Sequence, residues 1–127
     1  MAVAVASGLA TLHEIRQPGF YENLGGVTQD FCARFTAAAR SAGIPFCAAS
    51  VGAMFGVFAR VTPPTSFAEV MQSDKDLFNR FFHLMLDAGV HFAPSAYEAG
   101  FVSSAHGPDV IDFTIEAATA AFARLRA

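Results

Sequence analysis

Positive charge is what this sequence has least of. It contains a single lysine, Lys75, and no Lys or Arg at all between Arg80 and Arg124. Its eight basic residues are scattered and the formal net charge is -3. That pattern excludes the clustered basic face that a nucleic-acid partner requires. Charged residues of both signs reach only 15%, against roughly 25% in an average soluble domain. Cysteine is also scarce: Cys32 and Cys47 stand alone, with no CxxC and no His/Cys set at metal-ligand spacing. Both lie in apolar segments and read as buried free thiols in a reducing compartment. No apolar run reaches the length of a membrane span. The apolar start MAVAVASGLATL has no basic stretch before it and makes a poor signal peptide, so a cytoplasmic location is the default expectation. Neither a G-x-S-x-G nucleophile turn nor a G-x-G-x-x-G or Walker phosphate loop occurs.

What is present is apolar. Hydrophobic residues are 54% of the 127, fourteen of them Phe, and the mean hydropathy is +0.41. The length is that of one domain. A Phe-rich core accounts for part of the excess. The rest favours a unit that packs against another domain or a second subunit.

Met1–Ile15 carries Val5, Leu9, Leu12 and Ile15 on one helical face and has no cap at its start. Gln17-Pro18-Gly19 breaks the chain. Phe20 to Ala42 forms a long amphipathic helix, with a kink possible at Gly25-Gly26 and a stop at Gly43 and Pro45. Phe46–Val51 and Ala53–Val61 read as strands, and Ser66–Gln72 as a short helix. Ser73 with Asp76 looks like a capping box that starts a helix ending at Gly89. Val90–Ala93 and Gly100–Ser104 read as strands around the loop Pro94–Ala99. A last helix begins at Pro108, with Ile111, Ile115, Ala118, Phe122 and Leu125 as its stripe. This order implies an α+β domain, a small, mostly antiparallel sheet covered by helices.

The polar side chains of interest gather in VHFAPSAYEAGFVSSAH, Val90–His106. Ser95, Tyr97 and Glu98 share its loop, and His106 follows the second strand. Nothing in the spacing fixes Glu98 and His106 as an acid/base pair. Glu98 has apolar sequence neighbours and two open readings: an ion pair to a cation outside the loop, or recognition of a substrate amine. With no arginine nearby, the loop has no guanidinium fork with which to clamp a carboxylate. His83 reads as an edge or solvated histidine, since no metal partner lies one turn away. Lys75 lies on the polar side of its helix and lacks the apolar or cationic surroundings of a Schiff-base lysine.

Two runs carry a resemblance: VGAMFGVF (Val51–Phe58) and SDKDLFNRFFHLMLDAGVHFAPSAYEAGFVSSAH (Ser73–His106). They are similar to the C-terminal domain of the glutamate-1-semialdehyde 2,1-aminomutase family, most specifically in APS-x-x-EAGF-x-S-x-AH. MAVAVASGLATLHEI, QPGFYENL and the last helix with Asp109 and Asp112 fit as well. Ala53, where the family more often has Ser or Gly, and Gly25-Gly26 depart from it. The resemblance implies a fold-type I, pyridoxal-phosphate-dependent enzyme allied to class III aminotransferases. Such an enzyme converts glutamate-1-semialdehyde to 5-aminolevulinate for tetrapyrrole (porphyrin) biosynthesis, as a homodimer. It implies that residues 1–16 are a helix left over from the large domain and residues 17–127 the C-terminal small domain. The cofactor lysine, the pyridine-nitrogen aspartate and the phosphate cup would lie upstream, so this chain alone would hold no cofactor and no catalytic residue. Glu98 matches the family's glutamate near the substrate, where many related aminotransferases are expected to use an arginine. Another class III-type aminotransferase or racemase, or a stand-alone binding module descended from the enzyme, remains open.

Overall fold

The computed structural model describes residues 2–126. Met1, the first residue of the expected N-terminal helix, lies outside them. Five helices and three strands follow in the order α1 (Ala2–Ile15), α2 (Phe20–Ala42), β1 (Cys47–Val51), β2 (Met54–Phe58), α3 (Phe67–Val70), α4 (Lys75–Asp87), β3 (Gly100–Phe101) and α5 (Pro108–Arg126). The strands form one antiparallel sheet in the order β1-β2-β3, which gives the α+β architecture read from the sequence. No helix of the described residues is long and apolar enough to cross a membrane.

The helix ends follow local chemistry. At Gly43 (φ +71°) the N–H of Ile44 reaches back to the Ala39 carbonyl at 3.0 Å. At Gly89 (φ +87°) the N–H of Val90 reaches the Met85 carbonyl at 2.8 Å. Both are glycine-terminated ends whose left-handed residue a side chain would strain. Helix α2 runs unbroken through Gly25-Gly26. The start of α4 differs from expectation. Asp74, not Ser73, is its N-cap, accepting from the Leu77 N–H at 2.9 Å. Ser73 is buried and its hydroxyl has no partner among the described residues. A carboxylate at the cap also favours the positive end of the helix, so the acid one residue on takes the place of the serine.

Two expected strands are corrected. Residues 90–93 form no strand. The Val90 N–H is already committed to closing α4, and Pro94 has no N–H to give. The segment is held instead by packing Val90 and Phe92 against the core. The strand expected over Gly100–Ser104 shrinks to Gly100–Phe101. The Val102 N–H still reaches the Ala53 carbonyl at 2.9 Å, but the Ser103 N–H turns to the His106 ring. The first two strands are likewise shorter than expected, and the short helix is one turn, Phe67–Val70.

The core is a phenylalanine cluster. Phe35 on α2 sits at its centre, fully buried, with Phe122 of α5 at 5.2 Å, Phe81 of α4 at 5.6 Å and Phe46 at 6.3 Å between ring centroids. Phe81 and Phe122 stack at 5.1 Å. Cys32 and Cys47 are free and buried. Burial pushes both thiols above their usual pKa, opposed at Cys32 by a hydrogen bond with Ser50 and at Cys47 by the Arg60 charge. Arg34 of α2 bonds Asp112 of α5 at 2.7 Å and, within its own helix, Asp30 at 3.3 Å.

The two faces of the sheet are covered unequally. Strand residues alternate, so Ala48, Ser50, Phe55 and Val57 share the face toward α2, while Ala49, Val51, Met54 and Phe58 share the other. On that second face Val51 is 77% exposed and Phe101 67% exposed. None of the residues of α1 is buried, and Val5, Leu9 and Leu12 face solvent.

Within the sheet, two Phe rings lie over glycines. A Cβ built on Gly100 would come within 2.3 Å of the Phe55 ring, its cross-strand partner. That ring has no easy retreat, because Phe31 packs on it at 5.1 Å and Phe92 at 6.2 Å. Gly100→Ala is therefore expected to destabilise the fold by about 1–3 kcal/mol through overpacking. Chemical denaturation of the two proteins checks this, and Phe55→Leu in the alanine background should recover part of the loss.

Candidate functional site

The loop expected to carry the site borders the open face of the sheet. A cleft of about 310 Å³ lies between β1, β2, α3 and residues 96–99. Phe58, Phe67, Val70 and Met54 make its walls mostly apolar, and Glu98 is the one carboxylate that lines it. Glu98 is exposed. Its side chain has neither an ion pair nor a hydrogen bond among the described residues. Both of its oxygens are therefore free to accept, and in a mostly apolar cleft such a carboxylate suits an N–H donor or a cation.

The loop is turned by Ser95. Its hydroxyl accepts from the Tyr97 N–H and its carbonyl from the Glu98 N–H, each at 3.2 Å. That bend puts Tyr97 and Glu98 side by side on the cleft. The Lys75 ammonium, at the first residue of α4, lies 5.3 Å from the centre of the Tyr97 ring. Sequence reasoning set Lys75 aside and missed this contact. The two residues are 22 positions apart, and no local pattern links them.

His106 belongs elsewhere. Its Nδ1 accepts from the Ser103 N–H at 2.9 Å and lies 3.0 Å from the Ser103 hydroxyl. That acceptor role places the ring proton on Nε2. The residue clips the turn after β3. It borders two other clefts, one beyond Phe55 and one at the α1–α2 junction, and not the cleft of Glu98. The structure does not bring Glu98 and His106 together. His83 is exposed on α4, edge-on to Phe82 at 5.4 Å. Among the described residues no three His, Cys, Asp or Glu side chains gather where a metal could sit.

One wall of the cleft depends on a second carboxylate. Helix α3 supplies Phe67 and Val70, and its Glu69 ties it to the preceding loop. Glu69 accepts from the Thr65 N–H at 2.9 Å and the Thr65 hydroxyl at 3.2 Å, and lies 3.6 Å from Arg60. The Thr65 N–H above all holds the Glu69 carboxyl below its ordinary pKa, with partial burial opposing.

No family model matches this chain. Solved structures do resemble it. An omega-transaminase from Sphaerobacter thermophilus superposes with a TM-score of 0.75 at 20% identity, over 94% of this chain and 27% of that one. A structure described as a transaminase with PLP bound gives a TM-score of 0.76 at 21% identity, over 97% of this chain and 27% of that one. The fold is that of a transaminase segment. The chain spans about a quarter of the length of the structures it matches.

The lowered pKa of Glu69 sets a sign. Its contribution to stability is full above the ordinary glutamate pKa and is lost as pH falls through the lower folded value. Glu69→Gln should therefore destabilise the protein at neutral pH, and the gap to the parent should close in acid. Urea melts of both proteins across pH 3 to 7, a range spanning roughly the carboxylate titrations, check this. A gap that persists unchanged in acid would rule the carboxylate out as the cause.

Proposed function

We propose that this chain is the C-terminal small domain of a pyridoxal-phosphate-dependent enzyme of the class III aminotransferase type. Residues 1–16 are then the end of its large domain and residues 17–127 the small domain. The finer reading is an aminomutase that converts glutamate-1-semialdehyde to 5-aminolevulinate. The observation that carries it is the placing of Glu98 in a transaminase-like fold, as the one carboxylate on an apolar cleft, unpaired among the described residues and with no arginine beside it. The APS-x-x-EAGF run that delivers Glu98 supports the same reading.

In this reading the cofactor pocket lies outside the Glu98 cleft. Lys75, the sole lysine, is exposed and sits on Tyr97. The cleft of Glu98 has no Lys, Arg or His in its lining to meet a phosphate. The cofactor, which supplies the electron sink of amine chemistry, belongs in this proposal to the large domain. The open sheet face and the apolar face of α1 pack against that domain or a second subunit of a homodimer.

The work of this chain is binding and orientation. Glu98 accepts hydrogen bonds from the substrate ammonium or amine and fixes its direction, while the apolar walls exclude water and strengthen that interaction. A second reading, another aminotransferase acting on a more apolar amine, is favoured by the mostly apolar walls of the cleft.

In the full-length enzyme, Glu98→Gln should lower turnover of glutamate-1-semialdehyde about tenfold or more, the worth of a charged hydrogen bond of roughly 1.5–3 kcal/mol. Unchanged kinetics would remove Glu98 from the site. If the full-length enzyme instead turns over only other amine donors, the second reading holds. The chain alone, mixed with pyridoxal phosphate and reduced with borohydride, should show no pyridoxyl group on Lys75 by mass spectrometry at stoichiometric cofactor.

A further inference from the structure

Glu98 reaches its cleft on a loop that makes few bonds to the rest of the protein. The two backbone hydrogen bonds made by Tyr97 and Glu98 both return to Ser95 within the loop. Ala96 packs on the core. The ladder with β2 resumes at Gly100, and between Ala96 and that point the ring of Tyr97 lies beneath the Lys75 ammonium. We propose that Lys75 is a positioning residue for the site: it clamps the Tyr97 ring and so holds the adjacent Glu98 on the cleft.

The physical case starts at the end of α4. Lys75 is the first residue of that helix, next to its Asp74 cap. A cation there faces the positive end of the helix and gains by turning away from it toward negative charge. The face of a tyrosine ring offers that charge without a neutralising proton or a full ion pair. The helix itself is fixed by Phe78, Phe81 and Met85 in the core. The ammonium is therefore delivered from a rigid element to a mobile class of structure, which is what a clamp requires. The contact also leaves the Glu98 carboxylate free, whereas a direct Lys75–Glu98 pair would occupy the oxygens the substrate needs. The inference rests on the reading of Glu98 as the substrate-facing carboxylate, but the clamp can be observed without substrate.

Because Lys75 is the only lysine, uniform 13C-lysine labelling gives one set of side-chain signals in the chain as it stands. Its ε-CH2 protons should be shifted upfield by the Tyr97 ring current. Tyr97→Leu should abolish that shift, and Tyr21→Leu, at the other tyrosine, should not. Lys75→Met should speed amide exchange at Tyr97 and Glu98 about two- to fivefold, the worth of an exposed cation–π contact, and Lys75→Arg should restore it. A lysine signal indifferent to Tyr97→Leu, or loop exchange indifferent to Lys75→Met, overturns the clamp. Neither readout depends on turnover, so failure of the clamp is distinct from failure of Glu98→Gln to slow the full-length enzyme.

Discussion

Everything in this fold hangs on one aromatic cluster. Phe35 is fully buried where α2, α4 and α5 meet, and Phe46, Phe81, Phe92 and Phe122 ring it at centroid distances of 5.2 to 6.5 Å. Each of those side chains comes from a different part of the sequence. One cluster therefore fixes three helices, the entry to β1 and the irregular segment before the site loop. Edge-to-face contacts among such rings add about 0.5–1.5 kcal/mol each beyond the area they bury. The sheet contributes less to cohesion than its position suggests, because β3 is only two residues long. Phe31 and Phe55 extend the cluster to the sheet, and Phe55 is where the cluster meets the cleft.

The legible parts of the sequence were those set by a single element. Ile111, Ala118, Phe122 and Leu125 of the last helix have helical spacing and are buried as read, with Ile115 half-buried beside them. Gly43 and Gly89 end their helices because only a glycine takes those positive φ angles without strain. The failures came where a residue had two possible partners. Ser73 and Asp74 compete for one cap, and spacing alone does not say which backbone is extended there. Val90–Ala93 has strand composition, but its first N–H closes a helix and the residue after it is a proline. Glu98 could be chosen from the sequence as a carboxylate among apolar neighbours. That it would stand unpaired on a cleft, with Lys75 beside the neighbouring ring, is a matter of tertiary placement.

The two faces of the sheet divide the molecule. Toward α2 lies the closed aromatic core, with the Cys32 thiol inside it, while Cys47 is buried on the other face. On the other side Val51, Phe101 and Phe67 stand open, and the only charge on the cleft there is negative. Burying that face against a partner would leave Glu98 in a far less polar setting than it has now. A carboxylate so placed must be met by a donor. The apolar surface and the single acid are in that sense one feature.

The pairing of Phe55 with Gly100 has a consequence for how such a chain can change over time. The ring occupies the space a side chain at position 100 would need, so position 100 cannot gain one while Phe55 stays. A lineage could acquire a side chain at 100 only after position 55 had shrunk, and a smaller residue at 55 would first open a void against Phe31 and Phe92. The order of change at two sites 45 positions apart is thereby constrained.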